Sequence, residues 1–127
     1  MTRYHILVLV PDDTPEDQAC DAAAALLAPY MRDDRDPEAE FKFDYALDPE
    51  EIAALSDDAG RRDFWRVREI TGRLAELQIE TILAPDGRWH ETEAGELWDD
   101  EAWLARACDV LSRLPQDSLA LRHVLHT

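Results

Sequence analysis

Residues Tyr4 to Val10 read YHILVLV, a nearly unbroken apolar run closed by Pro11, Asp12 and Asp13. A half-buried strand alternates apolar and polar residues, whereas a run that is apolar at both parities belongs to a strand covered on both faces. The run therefore predicts a central or near-central strand. It is too short to span a bilayer and lacks a small-residue cleavage site, so no membrane association is expected and the cytoplasm is the expected compartment. With 127 residues, 46% of them hydrophobic, the chain is long enough for one domain with its own core.

The rest of the chain is read against that strand. Thr14 is placed to cap a helix, with Pro15 at its first position and Glu16 and Asp17 where carboxylates complement the helix dipole. Ala19, Ala22, Ala23, Leu26, Leu27 and Tyr30 give this helix a small inner face, suited to close approach to a sheet. Met31 to Glu40 is polar and aperiodic, and Phe41, Phe43 and Tyr45 then alternate with polar residues as in a short edge strand or an extended loop. Asp48, Pro49, Glu50 and Glu51 form a helix start, followed by the brief apolar stripe of Ile52, Ala53 and Leu55. Phe64, Val67, Ile70, Leu74 and Leu77 recur at helical spacing and predict a helix from just after Gly60 to about Leu77. Within it Gly72 costs about 1 kcal/mol relative to alanine unless something packs closely there.

Ile79 to Ala84 is a second strand, and Pro85-Asp86-Gly87 is a turn signal leading into Arg88-Trp89-His90-Glu91, which together predict a β-hairpin. After a loop around Gly95, Asp99 or Asp100 opens a helix with Trp103, Ala107, Val110, Leu111 and Leu114 on one face. Pro115 stops it, and Ser118 to Leu125 is a closing strand. Leaving out residues from about 31 to 60, the order is βαββαβ. It predicts an α+β domain with a ferredoxin-like core: an antiparallel sheet with helices on one face. The omitted segment is an acidic helical insertion between the first helix and the second main strand.

Charge narrows the function classes. Acidic residues number 29 against 13 basic ones, a formal net charge of −16. Four Trp, three Tyr and three Phe with regular periodicity separate this chain from a disordered acidic tail. Such a field repels phosphate backbones, so direct nucleic-acid binding is not expected and a basic protein surface is the expected partner. Lys42 is the only lysine; this bias to arginine, with the many alanines, fits a GC-rich genome. Cys20 and Cys108 each lie in an alanine-rich helical pattern, as small buried thiols rather than a disulfide.

Catalytic patterns are weak. Asp86, His90, Glu91, His123 and His126 are residue types that hold divalent ions, but neither a His-Glu-x-x-His helix nor a cysteine pair at ligand spacing is present. The plainer reading makes His90 and His123 partly exposed strand residues and places His126 in a loose C-terminus. Ser56, Ser112 and Ser118 lack a strained, glycine-flanked elbow, and apolar neighbours would raise rather than lower the Cys108 pKa. No glycine-rich phosphate loop occurs, so no cofactor, resident metal or catalytic residue is expected.

YHILVLVPDDT and ALLAPY near the start, with PDGRWHE and LPQDSLALRHVLH toward the end, resemble an uncharacterised family of small proteins from actinobacterial phages and related mobile elements. The resemblance covers the two ends of the chain. Where that family has a mid-chain motif rich in tryptophan and glycine, this chain reads FWRVREITGRL, and its closing His123-Val124-Leu125-His126 lacks the family's cysteine. The resemblance implies phage or mobile-element ancestry and carries no activity with it.

The acidic excess suggests a surface. Asp33, Asp34, Asp36, Glu38, Glu40, Asp44, Asp48, Glu50, Glu51, Asp57 and Asp58 crowd the insertion, and Glu91, Glu93, Glu96, Asp99, Asp100 and Glu101 form a second cluster. DNA presents one charge per about 1.7 Å of axis, a density that an acidic face can imitate in a basic groove. Acidic faces also serve solvation alone. The leading expectation is an accessory protein that binds and inhibits a basic, nucleic-acid-handling host complex, as an anti-CRISPR or other anti-defence inhibitor does. Phe41, Phe43, Tyr45, Trp65 and Trp98 are its candidate aromatic anchors, although each also suits a core. The alternatives are a small metal-dependent hydrolase using His90, Glu91 and His123, or a virion structural or assembly protein. A homodimer formed through a sheet edge is compatible with all three.

Overall fold

The computed structural model describes residues 3–33, 35–36, 38, 40–55 and 63–126. In chain order the elements are β1 (Arg3–Leu9), α1 (Ala19–Leu27), β2 (Tyr45–Leu47), α2 (Pro49–Leu55), β3 (Phe64–Arg66), α3 (Val67–Ile70), β4 (Ile79–Leu83), β5 (Trp89–Glu91), α4 (Glu101–Ser112) and β6 (Leu119–His126). The six strands form one open sheet in the order β2-β6-β1-β4-β5, with β3 also paired to β6. Among the strand pairings of the described residues, β1 with β4 is parallel and the others are antiparallel. No helix among the described residues is long and apolar enough to cross a membrane.

The two parities of β1 enter two different cores. Leu7 and Leu9 pack with Trp65, Val67, Ile70, Leu74, Trp103, Ala107 and Leu111, contributed largely by α3, α4 and the turn between α3 and β4. Ile6, Val8 and Val10 pack with Ala19, Ala23 and Leu27 of α1 and with Phe43. Helices therefore cover both faces of the sheet, as the opening run requires. Fully burying one large apolar side chain is worth about 1.5–3 kcal/mol, and Ile6, Leu7, Val8 and Leu9 are all completely buried. On α1 the small residues do what their spacing suggests: Ala19, Ala23 and Leu27 are buried at four-residue intervals, with Ala22, Leu26 and Tyr30 packed beside them.

The ferredoxin-like order is not confirmed. In that arrangement the second strand of the hairpin lies beside β1; here it is the first, β4, running parallel to β1 from His5↔Ile79 to Val8↔Leu83. The cause lies in the hairpin's own residues. Ile79, Thr81, Ile82 and Leu83 are buried and need neighbours on both sides, whereas Trp89, His90 and Glu91 are only partly covered and tolerate the edge. Cover on one face alone would have left half of β1 and β4 exposed.

The insertion also returns to the sheet rather than projecting from it. Of the two readings of Phe41 to Leu47, the edge strand is the one formed: Tyr45, Ala46 and Leu47 pair with His126, Leu125 and Val124. Asp48 and Glu51 bracket the start of α2 reciprocally, Glu51 N donating to Asp48 Oδ1 at 2.8 Å and Asp48 N to Glu51 Oε1 at 3.3 Å. Phe64 does not begin a helix. Phe64, Trp65 and Arg66 pair with Leu121, Ala120 and Leu119, and α3 starts only at Val67, with Glu69 Oε1 accepting from Arg66 N at 2.9 Å. Thr14 does not cap α1 either: its hydroxyl donates to the Pro11 carbonyl at 2.7 Å, and a 3-10 turn from Glu16 to Gln18 leads into the helix.

Between the stretches of β6 that pair with β3 and with β2 lies Arg122. Its backbone N–H donates to the Asp63 carbonyl at 2.8 Å and its Nε to Asp63 Oδ1 at 2.7 Å. Asp63 is 3% and Arg122 7% exposed, so this is a buried ion pair, with the guanidinium also 5.9 Å from the Trp65 ring centroid. Removing one partner strands a buried charge, which costs about 3–5 kcal/mol. Asp63→Ala should lower the unfolding free energy by about that amount in urea titration, whereas Glu76→Ala, which breaks the exposed pair with Arg73, should change it by less than about 1 kcal/mol. Gly72 offers the opposite case, since a Cβ there would meet nothing within 4 Å and its backbone needs no positive φ. Gly72→Ala should raise stability by about 0.5–1 kcal/mol in the same assay.

Candidate functional site

The carboxylates expected to meet a partner differ in what surrounds them. Asp33, Asp36, Glu38 and Glu40 are exposed on the segment leading from α1 to β2, with Phe41 exposed beside them. Asp33 is tied to Arg35, whose backbone N–H and Nε donate to it at 2.9 and 3.2 Å and hold its carboxyl below the usual range. Asp44, Asp48 and Glu51 have local work: Asp44 lies 3.5 Å from Arg32, and the other two cap α2. Glu50 is exposed. Asp34, Asp57 and Asp58 lie outside the described residues.

The aromatic anchors divide as sharply. Phe43 is 1% exposed in the core under α1, so it cannot reach a partner. Trp65, at 3%, is likewise core, and Trp98 is half-buried. Tyr45 is 46% exposed and stacks on His126, the ring centroids 4.5 Å apart and the planes 13° from parallel. Phe41, also 46% exposed, keeps a free face alongside Arg32, whose guanidinium lies 5.8 Å from its centroid.

The fold adds a set of acids outside the two clusters that the sequence pattern suggests; of them, the pattern gives a role only to Asp17, as a complement to the helix dipole. Asp12, Asp13, Asp17 and Asp21 are exposed along the approach to α1 and its first turn, and Asp12, Asp13 and Asp21 line a cleft of about 500 Å³. Cys20 reports how close the start of α2 comes: burial raises its pKa, and the carboxylates of Asp48, Glu50 and Asp21 raise it further. Acids from α1 and α2 therefore share one side of the sheet. Glu16 pairs with Arg66 at 3.5 Å, but among the described residues Asp12, Asp13, Asp17, Asp21 and Glu50 have no ion-pair partner. Helical proximity was the signal available in the sequence; the approach of α2 to α1 was not.

The second acidic cluster is largely occupied. Glu91 accepts from Trp89 Nε1 at 3.1 Å and from Lys42 Nζ at 3.4 Å, and Asp100 Oδ2 accepts from Leu97 N at 2.9 Å. Glu96 accepts from Arg106 Nη1 at 3.1 Å and from Glu93 N at 2.7 Å, bonds that lower its pKa.

His90, Glu91 and His123 are not brought together. His90 pairs with Ile82 and Glu91 with Thr81, so adjacent residues of β5 point to opposite faces. His123 pairs with Ile6 and shares the α1 face, opposite to His90. Two strands intervene between β6 and β5, a separation of about 14 Å at the usual strand spacing. Among the described residues no group of three or more His, Cys, Asp or Glu is arranged to hold a metal ion. Neither C-terminal histidine is loose or partly exposed: His123 is 2% and His126 6% exposed, each with a buried Nδ1 that has no hydrogen-bond partner. Cys20 and Cys108 are free thiols.

No protein-family model, curated protein or solved structure matches this chain.

Burial drives the His123 pKa down from 6.5 to about 4. The neutral ring is the form the fold accepts, so its contribution is complete above about pH 6.5 and is lost as pH falls from there toward 4, by at most about 1.4 kcal/mol per unit. Stability measured by urea titration should fall less steeply over that interval in His123→Phe than in the wild type. Equal slopes would mean that His123 is not buried as the neutral ring.

Proposed function

We propose that the chain is an acidic accessory protein of a phage or mobile element. It binds a basic, nucleic-acid-handling complex in the host cytoplasm and blocks it, as anti-CRISPR and other anti-defence inhibitors do. The observation that supports this reading is the unneutralised face of α1 and the start of α2. Asp17, in the 3-10 turn that leads into α1, and Asp21, in its first turn, are exposed like charges close in sequence. Repulsion between such neighbours disfavours the free protein slightly, and a groove of lysines and arginines relieves it. Exposed Asp33, Asp36, Glu38 and Glu40 extend the negative surface along the neighbouring segment, and Phe41 and Tyr45 supply apolar contact. Duplex DNA offers a basic groove the same field, so protein and DNA compete for it. Association by this route is fast and salt-sensitive.

The test is capture from a nuclease-treated host lysate on the immobilised chain. The retained proteins should be DNA or RNA binders, should be displaced by added duplex DNA, and should elute at about 1 M salt, where the Debye length is about 3 Å. The variant Asp17→Asn/Asp21→Asn/Glu50→Gln leaves the α2 capping pair intact and should lose most of the capture. Capture indifferent both to salt and to these substitutions would remove the charge-based mechanism.

A further inference from the structure

We infer that the cleft between α4 and the β4–β5 hairpin binds a nucleoside monophosphate. This site lies on the sheet face opposite the acidic surface and does not depend on it. The cleft is an open groove of about 510 Å³, within the range of small-molecule sites and much larger than a phosphate ion. It exists because α4 packs over the inner strands, where Trp103 Nε1 donates to the Ile79 carbonyl at 2.9 Å, and leaves the edge strand β5 uncovered on that side.

Ala84, Pro85, Val110 and Leu114 give the cleft an apolar floor, and three arginines and a histidine stand around it. Asp86 and Asp109 line it too, so the cleft is close to neutral within a chain carrying −16, and what matters is which arginine nitrogens their carboxylates leave unengaged. The three arginines are not equivalent. Arg106 spends both terminal nitrogens on Glu96 and lies 5.6 Å from the Trp103 ring centroid, so it is a fixed wall. Arg88 meets Asp86 through its backbone N–H at 3.0 Å and through Nε at 3.5 Å, contacts that do not use its terminal nitrogens; its side chain is 79% exposed. Arg113 meets Asp109 through Nη2 at 3.0 Å, leaving Nε and Nη1, and is 76% exposed. Exposed pairs of this kind hold a guanidinium in place without satisfying it.

Two partly free guanidinium groups, one on each side of an apolar floor, match a phosphate, whose oxygens accept paired N–H donors. His90, which also lines the cleft, adds an N–H. A purine or pyrimidine ring covers the floor formed by Val110, Leu114 and Pro85. Asp109 accepts from a ribose hydroxyl, which gives the one carboxylate that faces the cleft from α4 a favourable role. Inorganic phosphate would leave the floor bare, and a nucleoside would leave the arginines unengaged, so affinity requires both halves of the ligand.

The experiment is two-dimensional NMR of the full chain, isotope-labelled, titrated at neutral pH with adenosine monophosphate, adenosine and inorganic phosphate in turn. Adenosine monophosphate should saturate, shifting the side-chain N–H signals of Arg88 and Arg113 and the methyls of Val110 and Leu114. Adenosine and phosphate should each bind about tenfold or more weakly. Arg88→Gln and Arg113→Gln should each weaken the nucleotide by about tenfold, the loss expected for a charge-assisted hydrogen bond. Arg68→Gln, on another surface, should leave affinity unchanged. Shifts that do not saturate, shifts centred outside the cleft, phosphate binding as tightly as the nucleotide, or unaltered affinity in both glutamine variants would each overturn the assignment.

Discussion

The ion pair between Arg122 and Asp63 is the constraint on which the arrangement of this sheet turns. β6 has β1 along one side and both β2 and β3 along the other, and the pair sits at the junction of those two short strands. Desolvating two ions costs several kcal/mol each, so the pair is a weak source of net stability. What it provides is register. A slip of one residue would turn Arg122 to the opposite face, under α1, and leave Asp63 buried without it. Because β3 is thereby anchored, Trp65 and Val67 fall into the core beneath α4, and the long excursion after α1 is obliged to return to the sheet.

How much of this could be read beforehand depended on whether the signal was local. The hairpin turn, the helix from Glu101, the closing strand and the Asp48–Glu51 bracket are set by residues within one turn or one strand of each other, and each forms where the pattern places it. The strand order is not local. Its main clue was nevertheless present, since a β1 apolar at both parities conflicts with a sheet covered on one face, and Ile79 to Leu83 is too apolar for any position but an interior one. Phe64 misled because its interval to Val67 suits a helix, while its pairing with Leu121 involves residues 57 positions away. For the candidate surface, the exposure of Asp33, Asp36, Glu38 and Glu40 followed from polarity, but the burial of Phe43 depended on the cover supplied by α1.

Charge is partitioned by the same architecture. A sheet covered on both sides presents two outer surfaces, and their chemistries diverge. Around α4, carboxylates are matched with arginines in local pairs such as Glu96 with Arg106 and Asp109 with Arg113. Around α1, where no basic residue lies between Glu16 and Leu27, only Glu16 meets an arginine, Arg66 at 3.5 Å, and the aspartates stand uncompensated. A net charge alone would describe both surfaces as acidic; the pairing pattern separates a surface whose charges are balanced locally from one whose charges are not.

The outer strands have a bearing on self-assembly. β5, β2 and β3 are each three residues long, and β2 and β3 divide one flank of β6 between them. An incoming strand would find only a short ladder of free N–H and C=O groups on either side, interrupted on one of them. Short, broken borders of this sort are how soluble β proteins resist edge-to-edge aggregation. Two copies joined by strand addition would gain few hydrogen bonds while bringing strongly negative bodies together. Among the described residues, the sheet is thus built to end where it ends, and its association with other molecules is left to the surfaces above and below it.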